Sequence, residues 1–191
     1  MSGIIHHDSI KATSKQIEKA EKLLAGIPGG AEKALMRALN RAIESAKAEA
    51  VRAVGDVYTA KPKTVRAGIF LRKASPKKLE ANLVSSESNL RLKEFKVSPK
   101  ADTTGNKRRP IRAEIKKGRQ LDDLERAFVW DGHVYEREGD YRIPIRPRFG
   151  PGVPIMLNND AIVDRVMEQA VKSVDKALEH EIEHILDEVK P

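Results

Sequence analysis

Residues 31–72, AEKALMRALNRAIESAKAEAVRAVGDVYTAKPKTVRAGIFLR, contain the change of hydrophobic period that decides the fold. In the first part Leu35, Leu39, Ile43, Ala46, Ala50, Val54 and Val57 recur three or four residues apart, with Lys, Arg and Glu opposite. That spacing predicts a helix from about Ala31 to Val57, about 40 Å long at ~1.5 Å per residue. Its many alanines either raise helix propensity or permit close approach of a second surface. From Thr64 the period shortens. Val65, Ala67, Ile69 and Leu71 alternate with Arg66, Gly68, Phe70 and Arg72, which predicts a half-buried strand.

Upstream, residues 9–27 read as a first helix with Asp8 or Ser9 as its cap, and Pro28-Gly29-Gly30 ends it. His6-His7 precede it and are expected to be unstructured. Downstream, Ser75-Pro76 breaks the first strand. Further strands are predicted around Leu79–Leu83, Leu90–Val97 and Ile111–Ile115. Ser98–Pro110, which has turn formers and charge and only Ala101 as an apolar residue, reads as a mobile loop that becomes ordered with a partner. Asp131-Gly132 between Ala127–Trp130 and His133–Glu136 is a strong hairpin signal. Pro144, Pro147, Pro151 and Pro154 then impose an extended connector with few ladder bonds. A final helix is predicted from about Asn159 to Glu188, along Val163, Met167, Val171, Val174, Leu178, Ile182, Ile185 and Val189.

Helices segregated from strands indicate the α+β class: N-terminal helices, a central antiparallel sheet or small barrel or sandwich, and a long C-terminal helix. The 191 residues fit one domain with a helical part over 1–60, a β-rich part over 61–150, and a Pro-rich connector and helix over 151–191. The chain has no Cys, which excludes a disulfide scaffold, a thiolate metal site and a cysteine nucleophile. Its apolar runs are too short for a membrane span, and nothing resembles a signal peptide, so a soluble protein made in the cytoplasm is expected.

The formal charge of +8 is unevenly placed: about +2 over 1–60, +11 over 61–150 and −5 over 151–191. Such a field favours anionic partners for the middle, or head-to-tail self-assembly of unlike surfaces. The densest cluster is Lys107, Arg108 and Arg109, followed by Arg112, Lys116, Lys117 and Arg119. Cations on an extended loop contact phosphates without reading bases, although the absence of interleaved aromatics argues against single-strand stacking. The alternative is a solvated face that resists edge-to-edge aggregation.

His180-Glu181-Ile182-Glu183-His184 matches the H-E-x-x-H pattern, in which two imidazoles one turn apart bind zinc and the glutamate acts as general base. Both histidines fall on the side away from Leu178, no third ligand follows, and the pattern reads as a polar helix face. No phosphate loop, dinucleotide fingerprint or nucleophile elbow occurs, and Asp122-Asp123 have no evident catalytic partner. No catalytic constellation, metal or cofactor is expected. Phe128, Trp130, Tyr135 and Tyr141 gather half of the chain's aromatics. Phe128 reads as core and His133 as exposed. Trp130, Tyr135 and Arg137, with Pro151 and Pro154, are candidate subunit contacts.

An ordered series of segments carries a resemblance. It runs from the alanine-rich helix into Tyr58-Thr59-Ala60-Lys61 and Val65–Ala74, then Leu92-Lys93-Glu94-Phe95, Ile111-Arg112-Ala113-Glu114-Ile115 and Ala127-Phe128-Val129. It continues through Val134-Tyr135-Glu136-Arg137 and Arg142-Ile143-Pro144-Ile145 to Phe149-Gly150-Pro151-Gly152-Val153-Pro154-Ile155-Met156. Over about residues 31–190 the chain resembles the minor tail protein Z family of lambda-like phages and prophages. The acidic HEIEH end is not matched to that family here. The likeness implies a non-enzymatic virion protein that completes the tail at its head-proximal end and helps join it to the head. It also implies a homo-oligomeric ring, contacts with tail terminator and tail tube proteins, and synthesis in the host cytoplasm. A basic surface facing the lumen would touch phage DNA. The alternatives read from the residues are a sequence-tolerant nucleic-acid binder and, through His180 and His184, a zinc hydrolase.

Overall fold

The computed structural model describes residues 4–86, 88–103, 110–121, 124 and 126–189. Two long helices organise it. Helix α2 (Gly30–Val57) and helix α5 (Asp160–Val189) lie side by side. They are antiparallel, because Arg37, Ser45 and Glu49 of α2 meet Glu181, Ser173 and Arg165 of α5 in that order. Ala34, Ala38, Ala42, Ala46, Ala50 and Ala53 are all buried, so the alanines of α2 serve close packing as well as helix propensity.

The amino terminus corrects the expectation of a helix over 9–27. Strand β1 (Ile4–Lys11) comes first, and helix α1 (Ser14–Leu23) begins only at the Thr13 cap. Thr13 Oγ1 accepts from the Gln16 amide while Gln16 Oε1 accepts from the Thr13 amide, a capping box that Asp8 and Ser9 do not supply. His6 is paired in the sheet opposite Val84, so the His6-His7 segment is structured.

Helix α3 (Pro62–Ala67) replaces the first half of the strand predicted from Thr64, and strand β2 (Ile69–Arg72) occupies the second half. Val65 and Ile69 are four apart, a spacing that suits one helical turn as well as two strand repeats. Proline in the first turn at Pro62 settles the choice toward helix. Strand β3 (Glu80–Ser86) is central between β1 and β2, both antiparallel to it. Asn40 of α2 clamps the end of β2 to the helix, its side chain accepting from the Ala74 amide at 2.8 Å and donating to the Ala74 carbonyl at 3.1 Å.

A single 3-10 turn at Leu92–Glu94 stands where a strand is predicted, and strand β4 (Lys96–Ser98) follows it. Strand β4 pairs with β5 (Arg112–Glu114). Strands β6 (Ala127–Trp130) and β7 (His133–Arg137) form the expected hairpin, with both Asp131 and Gly132 at positive φ (49° and 67°), as a type I′ turn requires. The proline-rich connector is less bare than its composition suggests. Strand β8 (Ile145–Pro147) pairs with β7 as an edge, where the missing proline N–H is tolerated, and helix α4 (Val153–Leu157) precedes α5.

Among the described residues the antiparallel β-structure thus takes the form of three small sheets. The class is α+β. The main core joins α2, α4 and α5 to the inner residues of the sheets, and a second apolar cluster joins α1 to the facing halves of α2 and α5. No described helix is long and apolar enough to cross a membrane.

Candidate functional site

The HEIEH segment lies in the second half of α5, where the apolar stripe faces α2. Leu178, Ile182 and Ile185 are buried, and so is Glu181, which is 2% exposed. Its carboxylate lies 3.3 Å from Arg37 Nη1 and 2.8 Å from Arg41 Nη2. His180 and His184 face solvent, as their angular positions predict. His180 Nδ1 is 3.4 Å from Arg41 Nη1, and His184 Nδ1 is 3.3 Å from Glu188 Oε1. The glutamate that a zinc hydrolase would use as general base is therefore buried in the α2–α5 seam and engaged by two guanidinium groups, one of which, that of Arg41, also approaches His180. Among the described residues no group of three His, Asp or Glu side chains is placed to hold a metal ion. The burial of Glu181 was readable: it lies three residues after Leu178, inside the same apolar stripe.

Lys107, Arg108 and Arg109 lie outside the described residues. The loop predicted over Ser98–Pro110 is anchored at its described start. Ser98 belongs to β4, and Thr103 is buried, its amide donating to the Val129 carbonyl at 3.0 Å while its Oγ1 accepts from the Val129 amide at 2.9 Å. Arg112 is exposed on β5, and Lys116, Lys117 and Arg119 are exposed on the turn after it. That turn is fixed to the end of α2: the Thr59 amide donates to Ile115, and the Lys117 amide to Val57, each at 2.9 Å. Lys116 lies over the Tyr58 ring, 5.8 Å from its centroid. Gly118, at φ 78°, turns its amide onto Glu114 Oε1 at 2.7 Å. Lys96 Nζ lies 2.7 Å from Glu114 Oε2, and these two hydrogen bonds, that from Lys96 foremost, hold the Glu114 carboxyl below its ordinary value.

The β6–β7 hairpin has two unlike faces. Val129, Val134 and Glu136 point inward and are buried. Glu136 is held by Arg146 and Arg148 of the neighbouring edge, with its Oε2 3.1 Å from each. Phe128, Trp130, His133, Tyr135 and Arg137 share the outer face. Phe128 stacks on Tyr135 at 6.1 Å, Trp130 is tilted against Tyr135 at 5.8 Å, and the Arg137 guanidinium lies 4.8 Å above Phe128. Phe128 is thus half-buried on the outer face, which corrects the reading of it as core: Val129 and Val134 hold that position. Trp130 is 50% exposed.

His133 is half-buried, and not free in the turn. Its Nδ1 is 2.9 Å from Arg91 Nη1 and its Nε2 is 2.9 Å from Lys93 Nζ. Trp130, Tyr135 and Arg137 are therefore assembled on one surface. The two prolines grouped with them are not: Pro151 is half-buried in the connector, and Pro154 is buried in the first turn of α4, where it serves the core.

The connector passes close over its surroundings. A side chain at Gly150 would come within 2.5 Å of the Phe95 ring, and one at Gly152 within 2.7 Å of the Ser88 carbonyl oxygen. Phe95 is itself buried, so this stretch seals the core beside the hairpin sheet.

What the described surface offers is contact: an aromatic and cationic hairpin face, a rigid basic turn, and an acidic helix. The chain matches, over residues 14–189 of 191, the family described as prophage minor tail protein Z, and it belongs to that family. It is a structural protein of the phage tail. No curated protein and no solved structure gives a significant match.

Proposed function

We propose that this chain completes the tail at its head-proximal end and makes it competent to join the head, as one subunit of a homo-oligomeric ring that meets the tail terminator and tail tube proteins. The observation that carries this reading is the family match over nearly the whole chain, together with an outer hairpin face that holds Trp130, Tyr135 and Arg137 ready for contact. Assembly is the activity, and no bond is made or broken. The protein is made in the host cytoplasm and retained in the virion. Particles made without the gene should contain full-length tails and filled heads that do not productively join, counted by electron microscopy. Purified protein added to that lysate should restore plaque formation. Normal joining without the gene would overturn the proposal.

A contact with DNA in the lumen is a further part of this reading, supported by the exposed Arg112, Lys116, Lys117 and Arg119 on a turn fixed to α2. Backbone contact of that kind weakens steeply with salt and ignores sequence. Charge reversal at Lys107, Arg108 and Arg109 should impair DNA placement while tails still form. Unchanged infectivity would remove it.

A further inference from the structure

We infer that the outer face of the β6–β7 hairpin, with Arg91 and Lys93 at its edge, receives the acidic row of α5 from a second copy of this chain; this rests on the ring proposed above and names its interface.

The receiving side is positively charged, and Glu94, the described carboxylate that interacts with Lys93, is engaged directly by Thr64 and Lys61, at 2.8 and 3.4 Å. Arg91 and Lys93 each point a donor at His133, one at either ring nitrogen. A neutral imidazole has one acceptor nitrogen and one N–H, so it cannot satisfy both cations, and a protonated one satisfies neither. Among the described residues no carboxylate lies within ion-pair distance of Arg91 or Lys93. Each cation keeps further N–H groups, so a carboxylate brought beside the ring accepts from them and supplies the missing negative charge. Beside this notch Trp130, paired with His133, and Phe149, bridged to Arg91, are exposed, an aromatic surface of the kind that anchors interfaces.

The donating side is on α5. Val171, Asp175, Glu179, Glu183 and Asp187 recur every four residues and form one ridge inclined to the helix axis. Val171 is 54% exposed. Asp175 and Glu179 are partly engaged by Gln16 and Lys19 of α1, at 2.6 and 2.8 Å. Glu183, next in the row, is exposed and has no ion pair among the described residues. The ridge thus presents an apolar end followed by carboxylates, complementary to aromatic rings followed by Arg91 and Lys93. The two surfaces belong to different parts of the chain: α5 packs chiefly on α2, and the hairpin packs on the Leu92–Glu94 turn. Joining unlike surfaces of two copies is a heterologous contact, which propagates and closes into a ring when the rotation permits.

Because the chain has no Cys, a two-site crosslink reads the contact cleanly. A variant carrying both Lys93→Cys and Glu183→Cys, assembled into tails and treated with a short bifunctional maleimide, should give a ladder of multimers on a denaturing gel. Either single variant alone should give none. The two single variants co-assembled should give dimers and nothing larger, since each copy then offers one end. Lys93→Glu should lower infectious titre by about tenfold or more, and Glu183→Lys in the same chain should restore it. Tails that contain the protein, show no crosslink and tolerate Lys93→Glu would overturn the interface while leaving the tail-completion reading intact. Finding the protein absent from particles would overturn both.

Discussion

Glu181 of α5 faces Arg41 of α2 at 2.8 Å across the seam of the two long helices, with its carboxylate 2% exposed and the guanidinium more than half in water. The pair is an asymmetric ion pair: one partner is fully desolvated and the other reaches in from the surface. Arg37 shares the load at 3.3 Å, and Oε1 receives no well-aligned hydrogen bond despite its closeness to Arg41. Farther along the same seam, Arg165 of α5 reaches Glu49 at 2.5 Å and Asp56 at 2.6 Å, with the Ser45–Ser173 hydroxyl pair between. The antiparallel register is therefore specified by polar contacts laid over an alanine-rich apolar stripe.

Removing both arginines should be far worse than removing the carboxylate. Arg37→Ala with Arg41→Ala leaves a buried charge without compensation and should cost about 3 kcal/mol. Glu181→Met, which fills the seam with an apolar side chain, should be near neutral or slightly stabilising. Urea unfolding at neutral pH measures both. A Glu181→Met variant that fails to fold would show that the ion pair itself holds the seam.

The connector glycines should separate cleanly by their surroundings. Gly152→Ala places a methyl group 2.7 Å from the Ser88 carbonyl oxygen, a fixed backbone atom, and should destabilise by about 1–3 kcal/mol. Gly55→Ala in α2 meets nothing within 4 Å and should stabilise by about 0.5–1 kcal/mol through lower chain entropy. Thermal melts of the two variants should move in opposite directions.

At the hairpin tip Gly132 has φ 67°, where a side chain is strained even with space around it. Gly132→Ala should cost about 1–2 kcal/mol. Because the turn sets the register that puts Phe128 opposite Tyr135, the same variant should also alter the near-ultraviolet signal of the aromatic face. An unchanged melting curve and spectrum would show that packing alone sets the register.

The fixed basic turn should confer acid sensitivity. The hydrogen bonds from Lys96 and the Gly118 amide hold Glu114 below 4.5 in the folded state. A carboxyl depressed by folding contributes stability that is fully present above its unfolded pKa and is lost as pH falls through the lower folded value. Wild type should exceed Glu114→Gln in unfolding midpoint at neutral pH, and the gap should close as pH is taken below 4.5. A gap constant down to strong acid would show that Glu114 contributes shape and not charge.

Local chemistry determined a good part of this molecule. The apolar spacing along α2 and α5, and Asp131-Gly132 between two short apolar runs, specify those helices and that hairpin wherever they sit. Helical period and turn dihedrals depend only on near neighbours. The solvent-facing positions of His180 and His184 follow from the same arithmetic. Other features were settled at long range. Whether residues 4–11 became strand or helix depended on β3, which pairs His6 with Val84, and the true cap at Thr13 took effect only beyond that strand. An alternating stretch defines two faces without saying which is inner, so only packing decided that Val129 and Val134 turn inward and Phe128 and Tyr135 outward. In the same way Pro154 and Thr103 are turn-forming or polar residues that burial recruited, because a helix start and a strand amide arrived beside them in the folded chain.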